Sequence, residues 1–136
     1  MDEKRILISK SGDLEKVVSA VFRSARNAGF KDAEQFMIAT AASELARNIL
    51  SYAGRGIIII RSITTKTEQG IEVVAEDKGP GIQDIKRAME DHFSTGGTLG
   101  IGLPGAKRLM DELEINTDPG SGTTVIARKW IKHGNS

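Results

Sequence analysis

Apolar and polar positions alternate from Lys4 to Ser9, and a period of two predicts a strand at the edge of a sheet. The period then lengthens. Leu14, Val17, Val18, Val21, Phe22 and Ala25 recur at helical spacing, which predicts a helix opened by Gly12-Asp13 and closed by Gly29. A second helix, from near Asp32, turns Phe36, Ala39, Ala42, Leu45, Ala46, Ile49 and Ala53 toward a core and stops at Gly54. The apolar-rich stretch Ile57 to Ile63 predicts a buried strand, the polar Thr64 to Gly70 a hairpin loop, and Ile71 to Glu76 an antiparallel partner.

Asp77-Lys78-Gly79-Pro80-Gly81 has the residues of a turn, and a short helix follows from about Asp84 to His92, with Ile85, Ala88 and Met89 on one side. Glycines then crowd together at Gly96, Gly97, Gly100, Gly102 and Gly105. They lead into a helix whose Ala106, Leu109, Met110 and Leu113 share a face. Glu114 to Thr117, a turn at Pro119 to Gly122, and Thr123 to Lys132 form a closing hairpin. This order predicts an α+β sandwich, a mixed and mostly antiparallel sheet with helices packed on one face, as one domain over residues 1–136.

Composition narrows the function classes. The 136 residues are 39% hydrophobic but only 4% aromatic, so the core must be mainly aliphatic. Nineteen basic residues against 18 acidic ones leave a net charge of +1, which gives no global field to draw nucleic acid or an anionic membrane. The absence of cysteine excludes disulfides, thiolate zinc sites and cysteine nucleophiles. Met1 to Ile8 lacks the apolar core of a signal peptide, and no purely apolar run is longer than Ile57 to Ile60, so a cytoplasmic protein is expected. His92 and His133 stand apart without a carboxylate pattern, and Ser43 has no Ser-His-Asp partners.

Three constellations carry candidate chemistry. Glu44 and Asn48 lie one helical turn apart on one face; an amide oxygen suits magnesium and a carboxylate can take a proton, although a solvated polar stripe has the same spacing. Asp77, followed by Gly79 and Gly81, puts a carboxylate where backbone can approach a ligand; such a carboxylate accepts from the adenine amine and opposes the guanine carbonyl. An ordinary turn is the other reading. Gly100-Ile-Gly102-Leu-Pro-Gly105 opens a helix whose N-terminal N–H groups suit a polyphosphate, yet no Gly-Lys-Ser/Thr follows as in a P-loop.

Taken in order, Glu44 and Asn48, then Asp77, Gly79 and Gly81, then Gly100 and Gly102 with Lys107, resemble the N, G1 and G2 boxes of the GHKL, or Bergerat-fold, ATPases. Ser43-Glu-Leu-Ala-Arg-Asn48, Ala75-Glu-Asp-Lys-Gly-Pro-Gly-Ile82, Phe93-Ser-Thr and Gly102-Leu-Pro-Gly-Ala-Lys-Arg-Leu-Met-Asp111 are more narrowly similar to the switch serine/threonine kinases of bacterial stress signalling, relatives of the anti-sigma-factor kinases.

The resemblance implies ATP and magnesium as cofactors. It makes Glu44 the general base and Asn48 the magnesium ligand, and it assigns Asp77 to the adenine amine. Gly79 and Gly81 would shape the purine pocket. Gly96, Gly97, Gly100, Gly102, Leu103 and Lys107 would belong to the lid and phosphate loop, and Thr123, or alternatively Thr124, would support adenine recognition. The stretch from Phe93 to Gly100 is short and holds no Lys or Arg, so Arg47 becomes a candidate for meeting transition-state charge, and slow or partner-dependent chemistry is expected. The implied partners are a STAS-domain substrate in a stressosome-type complex and a PP2C-type phosphatase. The alternative is a nucleotide-gated binding switch, or an anti-sigma factor, with little kinase activity.

Overall fold

The computed structural model describes residues 3–79, 102–118 and 120–132. The expected helix near 84–92 and the glycines 81, 96, 97 and 100 lie outside these. Strand β1 (Glu3–Ile8) is followed by helices α1 (Asp13–Ala28) and α2 (Asp32–Tyr52), strands β2 (Gly56–Thr64) and β3 (Gln69–Asp77), helix α3 (Gly102–Leu109), and strands β4 (Glu112–Asp118) and β5 (Gly122–Trp130). The strands form a five-stranded sheet in the order β1-β2-β3-β5-β4. Every pairing among them is antiparallel, so the described sheet is less mixed than expected, and β1 takes the edge that its alternation predicts.

Because strand side chains alternate between faces, Ile58 and Ile60 of β2, Ile71, Val73 and Ala75 of β3, and Val125 and Ala127 of β5 all point to one side. They are buried there with Val17 and Val21 of α1 and Ile38, Leu45 and Ile49 of α2. Each Val, Leu or Ile side chain among them contributes roughly 1.5–3 kcal/mol on full burial, so this layer holds the helices against the sheet. On the other face, Arg128 pairs with Glu72, Glu112 and Glu114 at 2.7, 3.0 and 3.1 Å, and Arg61 with Glu72 at 3.0 Å. Among the described residues, no helix is long and apolar enough to cross a membrane.

Two sequence expectations fail here. Phe36 is 63% exposed instead of core; Ile38 takes the buried position, and Phe36 meets Phe22 edge-to-face on the outside, with ring centroids 5.0 Å apart. The third helix ends at Leu109, and Leu113 belongs to β4. The cause is sheet pairing: the Asp111 amide donates to Arg128 O at 2.9 Å, and the Asp111 carboxylate accepts from the Trp130 amide at 2.8 Å. These bonds draw the chain into register with β5 before another helical turn can form.

Asp13 ties the end of β1 to the start of α1. Its Oδ2 accepts from the amides of Ser9 at 2.9 Å and Lys10 at 3.1 Å. The Ser9 N–H is the main cause holding its carboxyl below the ordinary carboxylate range; burial opposes this, and Lys16 assists. A depressed folded-state value means stability that is present above the unfolded pKa and lost as pH falls through the folded one. Denaturation midpoints of the wild type should therefore fall on acidification below about pH 4, and Asp13→Asn should flatten that dependence. An equally steep acid slope in the variant would remove Asp13 from this role.

Candidate nucleotide site

Helix α2 presents Glu44, Arg47 and Asn48 from consecutive turns beside α3. Glu44 is only 6% exposed, which removes the reading of a solvated stripe for it. Its Oε2 accepts from the Gly102 amide at 3.1 Å, across 58 positions of sequence. Gly102, the first residue of α3, has φ +66°, a left-handed conformation that costs an L side chain and that aims this amide. The N-terminus of α3 thus already holds an anion, the carboxylate of Glu44. Arg47 Nε lies 3.4 Å from Glu44 Oε1, an ion-pair distance without hydrogen-bond geometry.

Asn48 Nδ2 is buried without a hydrogen-bond partner. Such an orphan N–H donor is costly unless an acceptor oxygen of a ligand or water completes it, and it is the Oδ1 of the same amide that would face a magnesium ion. Asn48 lines a small cavity with Asp77, Thr123, Leu103, Tyr52 and Val125. Four elements far apart in sequence supply that set: α2, the end of β3, the start of β5, and α3. The cavity measures about 10 Å³, the room of one water, and Leu103 of α3 is buried beside it. Burial also pushes the Tyr52 hydroxyl pKa up.

Asp77 ends β3, directly opposite Thr123 in β5. Its Oδ1 accepts from the Gly79 amide at 2.9 Å, a local turn that fixes the carboxylate. A Cβ on Gly79 would fall 2.5 Å from Ala53 Cβ, so the glycine is required by the close approach of this turn to the end of α2. This packing reason stands beside the ligand access that sequence suggests for that glycine. Beyond Asp77 and Thr123 opens a cleft of about 1000 Å³, also lined by Gly79, Arg55, Lys78 and Asn116. Arg55, Lys78 and Asn116 carry no signal in sequence, since only the sheet's end brings them together.

Of the remaining candidates, Lys107 is exposed on α3 and does not line the small cavity, and Thr124, the alternative to Thr123, lines only the large cleft. Gly81, Gly96, Gly97 and Gly100 fall outside the described residues. No group of three or more His, Asp or Glu among the described residues could hold a metal ion, so magnesium at Asn48 would need oxygens from a nucleotide.

Residues 9–129 match the family model of the histidine kinase-like ATPase domain. The chain belongs to this family. It is 52% identical over 108 residues to the serine/threonine-protein kinase RsbT of Bacillus subtilis, covering 79% of this chain and 81% of that protein. It is 38% identical over 100 residues to an anti-sigma F factor of Caldanaerobacter subterraneus, covering 69% and 68%. Among solved structures, the RsbU and RsbW domains of a Mycobacterium tuberculosis protein share the fold at TM-score 0.66 and 16% identity, covering 95% of this chain and 32% of that longer one. The mycobacterial sensor histidine kinase MprB does so at TM-score 0.56 and 17% identity, covering 95% and 97%. The fold and the GHKL resemblance read from sequence are therefore those of the family.

Proposed function

We propose that this protein serine/threonine kinase of the histidine kinase-like ATPase family transfers the γ-phosphoryl group of ATP to a Ser or Thr of a STAS-domain protein within a stressosome-type complex. When released, it would activate a PP2C-type phosphatase. The observation that carries the kinase reading is Glu44: buried, one turn from the unpartnered amide of Asn48, and bonded to the N-terminus of α3.

In this reading Asp77 and Thr123 hold adenine, Asn48 would hold magnesium together with phosphate oxygens, and the start of α3, apart from the Gly102 amide that Glu44 occupies, faces the phosphates. Magnesium so held would offset charge on the transferring group. Glu44 takes the proton of the acceptor hydroxyl as its oxygen bonds phosphorus and the bond to ADP breaks. Arg47, beside Glu44, is the candidate side chain to steady that charge. Gly81 shapes the purine pocket with Gly79, while Gly96, Gly97 and Gly100 complete the lid in this proposal, and residues 1–136 act as one cytoplasmic unit. The second reading is a nucleotide-gated binding switch or an anti-sigma factor with little kinase activity, the anti-sigma alternative drawing on the similarity to an anti-sigma F factor.

Incubation with labelled ATP, magnesium and a STAS-domain acceptor distinguishes the two. Label on the acceptor is the expected result; nucleotide binding without transfer would leave the switch. The metal assignment has its own check. Asn48→Ala should weaken ATP binding, measured by calorimetry, far more in magnesium than in EDTA. Equal weakening in both would make Asn48 structural.

A further inference from the structure

We infer that Gly56 is a positioning residue for the nucleotide: its bare Cα sets how closely the last turns of α2, with Asn48, approach the end of β3, with Asp77. The inference rests on the reading of Asp77 as the adenine partner and Asn48 as the magnesium ligand, which puts the two ends of one nucleotide on these two elements.

Gly56 opens β2, and antiparallel register seats it between Ile8 of β1 and Asp77 of β3. That row faces the helices, because Ile58 and Ile60, at alternate positions along the same strand, belong to the helix-side core. A Cβ at Gly56 would lie 2.4 Å from Glu76 O, 2.8 Å from Ile49 Cγ2 and 3.2 Å from Asp77 Cβ. Ile49 follows Asn48 directly on α2, is 2% exposed, and lines the small cavity with Asn48 and Asp77. Its methyl group thus fills the place that a side chain at Gly56 would take. Gly79 acts alike one helical turn further on, where Ala53 closes on the turn after Asp77. Two bare positions therefore admit two successive turns of one helix to the strand end that carries the carboxylate. Glycine offers a strand no side chain to pack, and here it marks a close approach. Any Cβ at Gly56 would force the backbone around Glu76 to shift, whereas a site that grips both ends of a ligand tolerates only about 0.5 Å of displacement.

Gly70 supplies the control. It lies near the opposite end of β3, where a Cβ would fall 2.4 Å from Lys129 O and 2.9 Å from Trp130 Cε3, the same kind of cross-strand collision away from Asp77. Gly56→Ala and Gly70→Ala should both lower the melting temperature. Only Gly56→Ala should weaken ATP binding, by about tenfold or more in calorimetry at a temperature where both variants are folded. Adenosine, which reaches only one end of the site, should lose much less. If Gly56→Ala does not fold, Ile49→Val, which shortens the side chain in the same contact, takes its place. Its control is Ile38→Val, the same deletion at a fully buried position of α2 outside the cavity lining, and the same contrast is expected. ATP affinity that is equal within each pair of variants, or equal losses for ATP and adenosine, would overturn the role of Gly56. A wild type that binds GTP as well as ATP would instead withdraw the reading of Asp77.

Discussion

Glu44→Gln should bind ATP like the wild type and yet transfer phosphate about 10²-fold to 10⁴-fold more slowly, the usual effect of losing a general base. The structure makes this substitution clean. The Gln oxygen can still accept from the Gly102 amide, as Glu44 Oε2 does at 3.1 Å, so the tie between α2 and α3 survives while the proton acceptor disappears. Activation of a PP2C-type phosphatase should persist in the same preparation, because docking does not need a base. Wild-type rates of acceptor labelling would show that the base lies elsewhere. Loss of phosphatase activation with intact ATP affinity would make Glu44 part of a conformational element joining the two helices.

Asp77→Asn should weaken ATP binding by about 5-fold to 150-fold, corresponding to about 1–3 kcal/mol for a disrupted charge-assisted bond. The amide oxygen can take over the bond that Asp77 Oδ1 accepts from Gly79, so the turn is kept. What changes is the other end of the side chain, where an N–H donor replaces an acceptor and meets the adenine amine. GTP should bind the wild type poorly for the mirror-image reason. Calorimetric titration with both nucleotides checks this, and equal ATP and GTP affinity in the wild type would withdraw Asp77 from base recognition.

Much of this chain was legible before folding. The period of two in β1, the helical spacing of α1, and both hairpins follow from local chemistry, because a strand or helix buries whichever face its own sequence makes apolar. Candidate residues Glu44, Asn48 and Asp77 were visible for a related reason: chemistry-bearing side chains stand out when the residues between them follow an apolar pattern, whereas Thr123 came only from the family resemblance. Phe36 shows where that logic ends. Its spacing fits the core face of α2, yet Ile38 is the buried neighbour and Phe36 points outward beside Phe22. A helix packed between a sheet and other helices has more than one apolar face, and periodicity does not say which face meets which neighbour.

By itself, then, the sequence determined the elements, the aliphatic core, and the side chains capable of chemistry. Tertiary structure alone decided that Glu44 caps α3 through Gly102, that Asn48 keeps a buried amide without a partner, and that the bare Gly56 lets Ile49 close on the end of β3 at Asp77. It also gave Gly79 a packing reason, the close approach to Ala53. The physical cause is range. Periodicity and turn chemistry act over a few residues, whereas a hydrogen bond spanning 58 positions exists only once the sheet register and the packing of α3 on α2 have fixed both ends.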